Sequence, residues 1–198
     1  MESGYRPSSS SLPEGSVGRL NQYALVAYID GRLGEFLFNL RQEIVPGCKL
    51  RSHVSILPPR PLAGSAVESE ATEFVRASSR RHEAFHVGLG QIEVFPVTNV
   101  IYIAIDGGLP ELHAMHDELN AQSLAYAEPF RYHPHITLAQ EISEAEHAGA
   151  LQLCEARWRE YSGPRSFPVE TLTFVQNSTN CGWLDLAEAH LEMAGLRR

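Results

Sequence analysis

Apolar positions along the chain switch between two spacings, and the switches divide it into alternating strands and helices. An unbroken apolar run from Tyr23 to Ile29, closed by Asp30, predicts a buried strand. Leu33, Phe36, Leu37, Leu40 and Ile44 then recur at helical offsets, a stripe ended by Pro46 and Gly47. Strand alternation returns over residues 50–57 and is expected to stop at Pro58 and Pro59. Val67, Ala71, Phe74, Val75 and Ser78 predict a second helix, whose end runs into Arg80, Arg81 and His82, cations suited to a helix C-terminus. The stretches 84–95 and 99–105, joined by Pro96, Val97 and Thr98, read as a hairpin.

The second half repeats this order. A helix is expected from Pro110, with Leu112, Met115, His116 and Leu119 on one stripe, followed by a strand around residues 135–138. A third helix is predicted over 143–158, capped by Ser143 with Glu146 three residues on. Strands near 167–175 and 182–187 close the chain, linked by the turn formers of 176–180. Strand, helix, strand thus occurs twice, a duplication of architecture with little residue identity between the halves.

The identity that does exist is concentrated. His53-Val54-Ser55-Ile56 and His135-Ile136-Thr137-Leu138 share one form, 82 residues apart in a chain of 198. On a strand, each histidine and its hydroxyl partner two places on share a face, while the apolar pair turns to the core. Composition alone would produce such a tetrad about 0.2 times per chain, so two copies at matching places carry information. If the halves face one another, two imidazoles and two hydroxyls meet in one cleft.

Composition narrows the partners. A net charge of −8 and a pI near 5.6 argue against wrapping long nucleic acid or DNA, which demands a basic face. A small nucleotide or an RNA end remains compatible. Cys48, Cys154 and Cys181 lack the spacing of a zinc site or disulfide framework, which suggests a cytoplasmic home. No run qualifies as signal peptide or membrane span. Residues 1–20, with four consecutive serines at 8–11, are expected to form a flexible tail ahead of a single bilobal domain over 21–198, acting as a monomer.

With those residues in view, the chain resembles the two-histidine (2H) phosphoesterase superfamily, in its branch of 2′-5′ RNA ligases and RNA cyclic phosphodiesterases. The resemblance rests on Ser52 to Arg60, on Pro134 to Ala139, on Val94-Phe95-Pro96 and on Thr171-Leu172-Thr173-Phe174. It implies an α+β fold of two pseudosymmetric lobes, each a curved antiparallel sheet backed by helices, around a central cleft. It also implies phosphodiester chemistry without a metal or other cofactor. His133, two residues before His135, departs from the family pattern and leaves a metal contact open.

The chemistry fits those residue types. Opening a 2′,3′-cyclic phosphate needs a base to activate water and an acid for the departing ribose oxygen, and imidazole serves both near neutral pH. His53 and His135 are therefore the expected catalytic pair, with Ser55 and Thr137 donating to the non-bridging oxygens. Reversal of the same steps would give 2′-5′ ligation. Arg51, Arg60 and Arg131 are candidates for holding substrate phosphate, and Tyr132 for stacking on a base. Each has a plainer alternative, a solvated arginine or a packed aromatic. Single histidines are most simply satisfied by backbone, and His113 with His116 most simply make a half-buried helix pair rather than metal ligands. Two competing functions remain: a nucleotide-phosphate binding module without turnover, and a metal-dependent phosphohydrolase using His133 and His135.

Overall fold

The computed structural model describes residues 18–62, 66–179 and 182–193. The reading of the first 17 residues as a tail, and Cys181, lie outside the described residues. In chain order the elements are β1 (Arg19–Tyr28), α1 (Gly31–Ile44), β2 (His53–Arg60), α2 (Ala66–Ser79), β3 (Phe85–Val94) and β4 (Ile101–Gly107). They continue with α3 (Leu109–Leu119), β5 (His135–Ala139), α4 (Glu144–Glu160), β6 (Ser166–Val169), β7 (Thr171–Ser178) and β8 (Trp183–His190). A single 3₁₀ turn at Gln122–Leu124 interrupts the long connection from α3 to β5.

Two antiparallel four-stranded sheets result, ordered β2-β1-β7-β8 and β5-β4-β3-β6. Each tetrad strand is the outer strand of its sheet and pairs with the strand that precedes it across a helix, so the units β1-α1-β2 and β4-α3-β5 match. The two outer strands, β2 and β5, lie against one another. Duplicated order in the sequence therefore becomes a pair of facing lobes, and the fold class is α+β with curved sheets and backing helices.

Burial explains why each helix sits where it does. Leu33, Leu37 and Leu40 of α1, Leu112, Met115 and Leu119 of α3, and Cys154 and Trp158 of α4 turn one stripe into a core shared with Val54, Ile56, Ile136 and Leu138. The tetrad valine, isoleucines and leucine are thus inside, as alternation requires. On its other face the first sheet carries a small second cluster, Ala24, Val26 and Val175, with Tyr28 and Trp183 against it. Gly108 makes the turn into α3 at a φ of +81°, where a Cβ would meet the His86 carbonyl at 2.6 Å. Among the described residues no helix is long and apolar enough to cross a membrane.

Four expectations change. β1 begins at Arg19 rather than after residue 20, because Arg19 pairs with Ser178 and Gly18 exchanges hydrogen bonds with Thr179. β2 runs through Pro58 and Pro59 to Arg60; as an outer strand it needs no ladder N–H on its free side, and a register shift opposite Tyr23 and Leu25 absorbs the irregularity. The strand expected over 167–175 is two: β6 pairs with β3 in the second sheet, then β7 pairs with β1 in the first, carrying the chain between lobes. Ser143 does precede α4, but its hydroxyl donates to the Glu146 carboxylate at 2.5 Å rather than to the backbone.

Candidate active site

The local fold places His53 by close packing at the start of β2. Gly34, in the first turn of α1, approaches Ile29 so tightly that a Cβ would fall 1.8 Å from its carbonyl oxygen. Ser52 fastens to that corner: its hydroxyl donates to the Gly34 carbonyl and its own carbonyl accepts from the Ile29 amide at 2.9 Å. His53 follows as the first residue of the strand, opposite Tyr28. In the other lobe His135 opens β5 opposite Ala104, and Thr137 stands opposite Tyr102.

The two histidines are held alike. Nδ1 of His53 lies 2.7 Å from the Arg51 carbonyl, and Nδ1 of His135 lies 2.7 Å from the His133 carbonyl. A carbonyl only accepts, so Nδ1 carries the hydrogen in both rings and each Nε2 is left for chemistry. Among the described residues neither Nε2 has a hydrogen-bond partner. Two aromatic edges flank each ring: Tyr28 and Trp183 for His53, with centroids at 6.4 Å, and Phe95 and Tyr102 for His135, at 4.9 and 5.3 Å.

Electrostatics makes both rings weak bases. Burial pushes the His53 imidazole down to about 4, opposed by its bond to the Arg51 carbonyl and reinforced by the nearby charges of Arg41 and His135. Burial also lowers His135, with the His133 charge adding to the effect against the hydrogen bond to the His133 carbonyl. Both are therefore neutral at pH 7. An anion between them would favour the imidazolium and return a proton to one ring.

Ser55, His133, His135 and Thr137 line one cleft of about 390 Å³. His53 stands beside Ser55 on the same edge of β2, close enough to feel the charge of His135. The Ser55 and Thr137 hydroxyls are half-buried and have no hydrogen-bond partner among the described residues, so both are free to donate. The cleft also has an apolar lining, supplied by Phe95, Pro96, Val97 and Phe130, with Val97 79% and Phe130 63% exposed. Exposed apolar side chains gathered at one cleft mark a binding surface. No periodicity announced Val97 or Phe130, because both sit in connections.

The expected phosphate and base contacts sort differently. Arg131 is exposed, lines the cleft and pairs with no carboxylate among the described residues. Arg51 is at the His53 end, but its guanidinium lies over the Tyr28 ring at 3.7 Å and faces Asp30 at 3.1 Å and Asp185 at 3.6 Å. Two carboxylates thus already offset its charge. Arg60 is not a phosphate ligand: it is 1% exposed, with donors to the Pro58 and Leu124 carbonyls, Asn120 and Glu128. Tyr132 is not an open stacking platform, since its ring lies parallel to His116 at 3.9 Å and its hydroxyl donates to the Ser55 carbonyl at 2.9 Å.

Among the described residues no three His, Cys, Asp or Glu side chains converge on a point where an ion could sit. His133 and His135 are adjacent, with ring centroids 6.5 Å apart, but the cleft carboxylate, Glu128, is committed to Arg60 and His116. His113 packs edge-on against Tyr132.

Comparison with known proteins agrees with this geometry. Residues 47–180, which include both tetrads, match the family model of the 2′-5′ RNA ligase superfamily. A Bacillus cytotoxicus protein named "Putative phosphoesterase" is 30% identical over 100 residues, covering 50% of this chain and 57% of the relative, so the match spans less than two thirds of that protein. Among solved structures, Escherichia coli LigT complexed with 3′-AMP aligns with a TM-score of 0.59 at 18% identity, covering 89% of this chain and 99% of that one. The Thermus thermophilus protein TT0787 aligns with a TM-score of 0.55 at 17% identity, covering 87% and 99%. At these identities the structural matches speak for the fold.

Proposed function

The chain belongs to the 2′-5′ RNA ligase superfamily, whose members make or break phosphoester bonds, and on that premise we propose that it opens 2′,3′-cyclic phosphates of nucleotides or RNA ends. The observation that carries the proposal is the matched anchoring of His53 and His135 through Nδ1, which leaves both Nε2 atoms without a hydrogen-bond partner among the described residues. One Nε2 takes a proton from water as its oxygen bonds to phosphorus. The phosphorus–oxygen bond to the ribose breaks, and the departing oxygen takes a proton from the other Nε2. Ser55 and Thr137 donate to the non-bridging oxygens, where negative charge gathers. With a 5′ ribose hydroxyl in place of water as the attacking group and the 3′ oxygen departing, the same steps give a 2′-5′ linkage, and run backwards they cleave it. No step calls for a metal or other cofactor.

Substrate size follows from charge and shape. The acidic chain disfavours long RNA, whereas the apolar wall of Phe95, Pro96, Val97 and Phe130 suits the face of one base. Binding of 3′-AMP by the structural neighbour LigT supports a small nucleotide. Free thiols at Cys48 and Cys154 suit a cytoplasmic protein.

The test is incubation with a panel of 2′,3′-cyclic nucleotides in excess chelator, with products read by phosphorus NMR. Ring opening that persists under chelation supports the proposal. Activity abolished by chelator and restored by a metal would transfer the chemistry to an ion, and binding without product would make this a capture module. Arg131→Gln should raise KM about five- to tenfold with kcat within twofold, the loss of one charge-assisted contact at a solvated rim. An unchanged KM removes Arg131 from the site.

A further inference from the structure

The connection between α3 and β5 belongs to the second lobe, yet it is bolted to β2 of the first at two points. At one, Arg60 of β2 is wrapped by the connection: its Nη1 donates to Asn120 Oδ1 at 2.7 Å and to the Leu124 carbonyl at 2.9 Å, while its Nη2 donates to Glu128. At the other, the Tyr132 hydroxyl donates to the Ser55 carbonyl at 2.9 Å. His116 of α3 joins the two points. Its Nε2 lies 3.1 Å from Glu128, and its ring lies parallel to Tyr132 at 3.9 Å with 8° between the planes. Burial, with the Glu128 and Asp117 charges, holds the Tyr132 phenol far above its ordinary range, so the hydroxyl remains a donor at any working pH.

From this closed circuit we propose that Tyr132 is a positioning residue, setting the width of the cleft across which His53 and His135 act. The proposal rests on the acid–base reading of that cleft. Tyr132 reaches both halves of the machinery through the backbone. Its hydroxyl holds the carbonyl of Ser55, a residue that lines the cleft, and it directly precedes His133, whose carbonyl fixes the His135 ring. An in-line displacement needs its base and acid on opposite sides of phosphorus at a set spacing, and a misplacement of about 1 Å costs on the order of 10² in rate. A hydrogen bond from one lobe to the other is the element that prevents such drift. The aromatic ring alone, packed on His116, would hold the fold without holding the gap.

Tyr132→Phe isolates the hydroxyl. The expected result is a kcat about tenfold lower on 2′,3′-cyclic AMP, KM within twofold and a melting temperature little changed. Orthovanadate with adenosine, which forms a five-coordinate mimic bridging both sides of the cleft, should bind the variant about tenfold more weakly, while inorganic phosphate binds as in the wild type. If Tyr132→Phe does not fold, Tyr132→His, which keeps an aromatic face for His116 and is too short to reach the Ser55 carbonyl, is measured in the same way. Equal affinity of wild type and variant for the vanadate adduct overturns the positioning role, whatever the turnover. So does a loss of activity that only tracks the loss of folded protein. Wild-type protein that binds the adduct but opens no cyclic phosphate overturns the proposed function instead, and adduct binding still decides the role of Tyr132.

Discussion

His53→Ala and His135→Ala are each expected to lower kcat on a 2′,3′-cyclic nucleotide by about 10²–10⁴, the usual weight of one positioned proton transfer. Among the described residues no other group stands ready to replace either Nε2: His133 is two residues from His135 on the same lobe, and Arg41, near His53, is a buried cation. Folding should survive, because the interior side of each tetrad is Val54 with Ile56 and Ile136 with Leu138, untouched by the change. Each variant should also lose one limb of the pH–rate profile, since one of the two titrating partners is gone. The double variant should cost little more than the worse single one, as groups acting in one step do not add. Steady-state kinetics with a melting curve checks all of this. A loss smaller than tenfold at either position defeats the paired mechanism.

Arg60→Met is the largest expected effect on stability, about 3–5 kcal/mol, the usual cost of stripping one partner from a buried ion pair. The guanidinium is 1% exposed and gathers the connection 120–128 around β2, so its removal leaves a half-buried Glu128 carboxylate with His116 as its remaining partner among the described residues. Adding Glu128→Gln should restore part of the loss, because the stranded charge is then gone. Urea unfolding of the wild type, the single and the double variant measures both quantities. A loss below about 1 kcal/mol, or a raised KM with stability unchanged, would restore Arg60 to the substrate phosphate.

That same arginine shows where the sequence ceased to be legible. Arg60 lies seven residues from His53, at the parity of Val54 and Ile56, so a continuous strand turns it toward the core. Stopping the strand at Pro58 hid this, because whether an outer strand tolerates prolines depends on its place in the sheet. The helical stripes and the tetrads were legible since both are short-range patterns set by 3.6- and 2-residue periods. His116 was correctly placed on the buried stripe of α3, but its partner Glu128 is twelve residues away across a 3₁₀ turn, beyond any local rule. The division of 166–178 between two sheets is likewise a matter of pairing partners and not of apolar pattern. The apolar wall of Val97 and Phe130 sits on connections, where exposure is a property of the folded surface alone.

The most direct test of two imidazoles poised about one phosphate is a titration of the His53 and His135 ring nitrogens by NMR, with and without inorganic phosphate. Without phosphate, His53 should titrate near 4 and His135 below its ordinary value, each with the hydrogen on Nδ1. With phosphate bound, both should move upward together, because the anion stabilises a proton on either Nε2. Movement of one ring alone, or titration of both at ordinary values with no response to phosphate, would contradict the shared cleft.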